Sequence, residues 1–134
     1  ENILVGNGST ELISLVAQIM QPKNALIVGP TYSEYEHEIS LIGGRSHYFR
    51  LQESDRFLLD IKALSKALTK DVDLLVLCNP NNPTSSQIDR QTMRIIWITA
   101  RNTVFSLWLM RLMWNLHLTR KKSPRSRWQN ITII

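Results

Sequence analysis

The apolar positions of residues 1–97 switch repeatedly between two periods. Short unbroken runs, Ile3-Leu4-Val5, Ala25-Leu26-Ile27-Val28 and Leu74-Leu75-Val76-Leu77, have the length of strands buried on both faces. Between them, Glu11–Met20 carries apolar residues at the 3–4 spacing of a half-buried helix. Leu59–Leu68 repeats that pattern, with Ile61, Leu64 and Leu68 facing inward behind a capping Asp60. Thr31–Leu41 reads as a helix stopped by Gly43-Gly44, His47–Arg50 as a strand, Leu51–Phe57 as an exposed connection and Asp89–Ile96 as a last helix. Strands that alternate with helices predict an α/β fold: a mostly parallel sheet with flanking helices, joined by right-handed crossovers.

Three breaks in the pattern carry candidate chemistry. The run Leu74–Leu77 ends at Cys78, because the following Asn79-Pro80-Asn81-Asn82-Pro83 lacks ladder donors and has fixed φ angles. Two X-Pro bonds make this loop stiff, and a cis Asn82–Pro83 bond costs only about 0.5–1 kcal/mol. Asn82 then offers a donor and an acceptor to a planar ligand at the carboxyl edge of the sheet, although a helix-capping turn uses the same letters. Ahead of the first helix, Gly6-Asn7-Gly8-Ser9-Thr10 supplies Ser9 or Thr10 as N-cap. The same residues suit an anion such as phosphate, which glycine backbone and the helix dipole both favour. Finally, Gly29-Pro30 breaks a strand and sets Tyr32 at a strand-to-helix junction, where its ring either packs on the surface or lies against a flat ligand.

Charge divides the chain. Through Trp97 there are 9 basic and 11 acidic residues, whereas Ile98 onward holds 7 basic residues and no acidic one. All four tryptophans lie at or after Trp97, so the sequence divides into 1–97 and a basic, Trp-rich 98–134. Residues 104–118 and the cluster Arg120–Arg127 leave a second function open: a non-enzymatic, truncated α/β domain whose cationic tail binds a membrane surface or nucleic acid. Arg111 interrupts the apolar run, which argues against a spanning helix. A single cysteine, Cys78, precludes an internal disulfide and suits a reducing, cytoplasmic setting, where it reads as a small packed hydrophobe. His37, His47 and His117 show no metal-ligand spacing, and Lys62, Lys66 and Lys70 form a solvated stripe. The abrupt start at Glu1 without Met reads as a fragment of something longer.

Leu77-Cys78-Asn79-Pro80-Asn81-Asn82-Pro83-Thr84 resembles the asparagine loop of fold-type I pyridoxal-phosphate enzymes, in the branch of histidinol-phosphate aminotransferase and threonine-phosphate decarboxylase. Gly6-Asn7-Gly8-Ser9-Thr10-Glu11 is similar to that family's phosphate loop, and Pro30-Thr31-Tyr32 to its Pro-Thr-Tyr segment. The resemblance covers nearly all of residues 2–96. It implies part of the large domain of the aspartate aminotransferase-like fold and the cofactor pyridoxal 5′-phosphate. Gly8, Ser9 and Thr10 would surround the phosphate, Tyr32 would stack on the pyridine ring, and Asn82 would bond its phenolic oxygen. It further implies an amino-acid or 2-oxo-acid substrate, transamination or decarboxylation of a phosphorylated amino acid, and a homodimer, with neither nucleic acid nor membrane as partner. One departure is Ser85, where the family has glycine; a positive φ there would strain the turn.

The tail departs further. The family's next strand ends in an aspartate that pairs with the pyridinium nitrogen, but Leu107–Asn115 holds no acid. Nor does Lys121-Lys122-Ser123 reproduce the setting of the family's cofactor lysine, so no catalytic residue is assigned. Read from the third base of each codon, permitted codon choices for the tail include GIFLMVDETYVEF, in which the D of VDETY straddles Leu109 and Met110. The expectation is a single-base slip near Ile95–Trp97, with 98–134 outside the family fold. As written, the chain is then expected to be inactive and poorly stable alone, with an unpaired sheet edge.

Overall fold

The computed structural model describes residues 5–102 and 105–110, together with the backbone of 131–133. Helices and strands alternate: α1 (Gly8–Met20), β1 (Asn24–Gly29), α2 (Glu34–Leu41), β2 (Arg45–Arg50), α3 (Ile61–Ala67), β3 (Leu74–Cys78), α4 (Arg90–Arg101), β4 (Ser106–Met110) and β5 (Ile131–Ile133). The strands form one parallel sheet in the order β2-β1-β3-β4-β5. This is the expected α/β architecture.

Alternation along each strand sorts the core into two layers. Ala25, Ile27, Leu74, Val76, Cys78, Trp108 and Met110 face Ile13 and Val16 of α1 and Tyr35 and Ile39 of α2. Leu26, Val28, Leu75, Leu77, Leu107 and Leu109 face Leu64 of α3 and Ile96 and Ala100 of α4. Strands buried on both faces read as continuous apolar runs, which is why β1 and β3 were legible and why their neighbours must cover both sides. The edge strand β2 mixes exposed and half-buried residues instead.

The amino end of the sheet is stapled by Asp73. Its carboxylate accepts from the backbone N–H groups of Lys23 (2.8 Å) and Asn24 (3.1 Å), and its own carbonyl accepts from Ser106 N at 2.8 Å. One residue, through its side chain and its carbonyl, thus registers β1, β3 and β4 at their amino ends.

Several element boundaries differ from the sequence reading. Helix α1 starts at Gly8 with Asn7 as N-cap, so neither Ser9 nor Thr10 caps it. Gly8 has φ 83°, a conformation open to glycine, which lets the helix begin before either hydroxyl, and Glu11 accepts from Asn7 N–H in place of a side-chain cap. Helix α2 begins at Glu34, with Ser33 at its N-cap position, three residues later than the sequence suggests. Helix α4 runs past Ile96 to Arg101, with Ala100 buried in the core. By contrast, Asp60 caps α3 as expected, accepting from Lys62 N and Ala63 N. Gly43 (φ 82°) and Gly44 end α2, their N–H groups donating to Ser40 O and Ile39 O.

Lys62, Lys66 and Lys70 are exposed, and Cys78 is a buried free thiol. Among the described residues no helix is long and apolar enough to cross a membrane, and no cluster of three candidate metal ligands occurs. The run Ile3-Leu4, His117 and the basic cluster Arg120–Arg127 lie outside the described residues.

Candidate functional site

Sheet order fixes where a ligand site can form. From β1 the chain leaves through Pro30–Ser33 to α2 on one face; from β3 it leaves through Asn79–Asp89 to α4 on the other. Adjacent parallel strands whose connections diverge to opposite faces open a crevice at their carboxyl ends, the topological switch point of an open α/β sheet. Tyr32 stands on one lip and Asn82 on the other.

The third segment reaches the same end by helix geometry. The last residue of α1 is joined to β1 by only Gln21–Lys23, Gln21 turning the chain with φ 43°. Helix α1 therefore runs antiparallel to β1, and its 13 residues span about 20 Å, the length of the strand it packs against. Its N-terminus, with Gly8, Ser9 and Thr10, lies toward the carboxyl edge. The N–H groups of Ser9 and Thr10 belong to the first turn, which has no intrahelical acceptors.

The asparagine loop divides its three amides by role. Asn79 is buried and clamps the returning chain, its Oδ1 accepting from Ile88 N (3.0 Å) and its Nδ2 donating to Ile88 O (3.3 Å). Asn81, 9% exposed, is saturated: its Oδ1 accepts from Thr31 Oγ1 at 2.8 Å. Its Nδ2 donates to Pro30 O at 2.8 Å and to Thr84 Oγ1 at 2.7 Å. Asn82 is exposed, and among the described residues its amide makes no hydrogen bond. The Asn82–Pro83 bond is cis, as are Gly29–Pro30 and Asn79–Pro80. Ser85 takes φ 56°, the positive value that its substitution for glycine brought into question.

An aromatic ladder backs the other lip. The Tyr32 ring is half-buried and meets Tyr35 edge-on at 6.1 Å, and Tyr35 meets Trp108 at 5.5 Å. Tyr35 is fully buried, among the described residues its hydroxyl meets no hydrogen-bond partner stronger than the Cys78 thiol, and burial drives its pKa strongly upward, with that thiol adding to the rise. It is a support for Tyr32, not an acid or base. Cys78 itself donates to Pro80 O at 3.2 Å, in keeping with a packed residue.

Beside the crevice, a groove of about 460 Å³ is lined by Pro30, Thr31, Tyr48, Arg50, Gln52 and Phe57 among others. None of Gly8, Ser9, Thr10, Tyr32 and Asn82 lines it. Sequence reasoning missed Asn81, Thr31 and Thr84. Three asparagines in four residues signalled an amide-rich loop, but only the fold reveals which amides are already engaged.

Residues 1–106 match the family described as aminotransferase class I and II. The chain belongs to this family. It is 42% identical over 97 residues to a putative threonine-phosphate decarboxylase of Caldanaerobacter subterraneus subsp. tengcongensis, an alignment covering 72% of this chain and 26% of that protein. The histidinol-phosphate aminotransferase of Clostridium acetobutylicum superposes with a TM-score of 0.70 at 25% identity, over 80% of this chain and 30% of that one. The aspartate aminotransferase of Thermus thermophilus superposes with a TM-score of 0.68 at 21% identity, over 77% and 27% respectively, which shows the aspartate aminotransferase-like fold. The chain thus spans about a quarter of the length of the relatives it matches. Its sheet and flanking helices are a partial domain of that fold.

Proposed function

We propose that this chain is the cofactor-binding part of a pyridoxal 5′-phosphate-dependent enzyme acting on an amino acid, by transamination or by decarboxylation of a phosphorylated amino acid. The observation that carries this reading is the unspent donor set at the switch point. Among the described residues Asn82 keeps a free amide while Asn79 and Asn81 are engaged, Tyr32 has a supported ring, and the first turn of α1 offers N–H groups at the same edge. That set fits a flat, phosphorylated pyridine bearing a ring oxygen. Gly8, Ser9 and Thr10 would take the phosphate, Tyr32 the ring face and Asn82 the phenolic oxygen. When bound, that group supplies an electron sink for the bond broken at the substrate α-carbon.

The residues that would move protons are not in this chain as written. Residues 98–134 carry the out-of-frame continuation of the same gene, although the family match runs on to residue 106. Support comes from β4. The shifted reading gives Leu, Met and Val across its middle, so an apolar strand survives in either frame. The shifted aspartate codon straddles Leu109 and Met110, at the carboxyl end of β4, where Met110 O accepts from Asn79 N at 2.9 Å. Restoring the frame would set a carboxylate against the asparagine loop. In its complete form the protein is a homodimer in the cytoplasm, a compartment that suits the single free thiol Cys78.

The test is the coding DNA together with a repaired protein. A shifted frame encoding VDETY, and turnover of a phosphorylated amino acid or of an amino acid with a 2-oxo acid by the frame-restored protein, is the expected result. Stop codons in that frame would remove the frame reading. A repaired protein that consumes neither substrate class would remove the enzymatic one.

A further inference from the structure

Resting on the reading above, we propose that Asn81 is the positioning residue of this site: it sets the spacing between the Tyr32 ring and the Asn82 amide. Its side chain is the bridge across the switch point. Oδ1 holds the Thr31 hydroxyl, and the two Nδ2 protons hold Pro30 O on the far lip and Thr84 Oγ1 on its own. All three bonds are between 2.7 and 2.8 Å and lie in a part-buried setting, where such contacts are strong and a missing partner is costly.

The leverage is short. Tyr32 follows Thr31 directly and Asn82 follows Asn81, and consecutive Cα atoms are about 3.8 Å apart. Prolines at 30, 80 and 83 fix φ on either side, so little backbone freedom lies between each bonded residue and the side chain it serves. The loop is tied a second time by Asn81 N to Ser86 O (2.9 Å) and Ser85 N to Asn81 O (2.8 Å). Orientation of the amide is determined as well: exchanging its oxygen and nitrogen would set a carbonyl-type oxygen against Pro30 O. A carboxylate at 81 would do the same, so Asn81→Asp keeps the shape and loses the bond to Pro30 O, while the Thr84 hydroxyl can turn to donate to it.

The experiment titrates the full chain with pyridoxamine 5′-phosphate, which forms no adduct with stray lysines, and separately with inorganic phosphate. The variants are Asn81→Asp, Thr31→Val, Thr31→Ser and Asn82→Ala. Positioning predicts that Asn81→Asp and Thr31→Val each weaken pyridoxamine 5′-phosphate by about tenfold, the scale of one lost hydrogen bond. Inorganic phosphate should stay within about twofold of the parent chain, and Thr31→Ser, which keeps the hydroxyl, should restore parent affinity. A general structural role would weaken both ligands together and would overturn the proposal, as would unchanged pyridoxamine 5′-phosphate affinity in Thr31→Val, the milder variant that leaves the loop amide intact. If Asn82→Ala weakens binding and Asn81→Asp does not, the cofactor reading stands and the positioning role fails. If Asn82→Ala changes nothing, or the parent chain binds neither ligand, the cofactor reading fails and takes this one with it.

Discussion

Thr31 Oγ1 donates to Asn81 Oδ1 across 2.8 Å and joins two loops separated by 50 residues. Removing the hydroxyl leaves a buried amide oxygen unsatisfied, so Thr31→Val should destabilise the chain by about 1–2 kcal/mol. Asn81→Ala breaks three side-chain bonds and should cost more, about 2–4 kcal/mol. Urea unfolding of the two variants and their double mutant checks this. Because they share one bond, the double mutant should fall short of the sum of the singles.

Ser85 sits at φ 56° in the asparagine loop, with its N–H donating to Asn81 O. A left-handed residue with a Cβ costs about 1–2 kcal/mol, part of which glycine returns as unfolded-state entropy. Ser85→Gly should therefore raise the unfolding free energy by about 0.5–1 kcal/mol, read from the urea midpoint at constant m-value.

Alkaline stability follows from two tyrosines. Burial raises the pKa of Tyr35 and of Tyr48 above the ordinary value of 10.0, and Tyr48 also donates to Glu36 Oε2 at 3.0 Å. The folded state thus holds these protons more tightly than the unfolded chain. Their contribution is fully present below pH 10 and is lost as pH rises above it. Equilibrium unfolding above pH 10 should show this decline, and Tyr35→Phe should flatten it while leaving neutral-pH stability nearly unchanged, because among the described residues the lost hydroxyl meets only the weak acceptor of the Cys78 thiol.

Acid acts in the opposite sense at α4. Asp89 caps that helix, its Oδ1 accepting from Gln91 N and Thr92 N and its Oδ2 from the Thr92 hydroxyl. The Thr92 hydroxyl foremost, then the backbone N–H groups, hold its pKa below the ordinary 3.8. The cap's contribution is present above pH 3.8 and disappears as pH falls through the lowered value. Asp89→Asn should reduce the acid dependence of helical circular dichroism; an identical acid limb in the variant would contradict it.

The strand runs, the glycine stop after α2 and the Asp60 cap were legible because burial on both faces, φ > 0 and N-terminal N–H groups each select a few residue types. The start of α1 was not. A hydroxyl residue signals a cap only if the backbone before it is ordinary, and Gly8 is not. The loop's division of labour was equally hidden, since Asn79, Asn81 and Asn82 are identical letters and Thr31, 50 residues distant, decides which of them is engaged. The end of α4 was obscured by the composition change at Trp97, although Ala100 buries in the same layer as Ile96.

The most direct test of the account is to map, by amide chemical shifts, where pyridoxamine 5′-phosphate touches the isotopically labelled chain. Perturbations should cluster at Gly8–Thr10, Tyr32 and Asn82 and saturate together with one affinity. Shifts that leave those three segments unmoved, or that titrate separately at each of them, would contradict it.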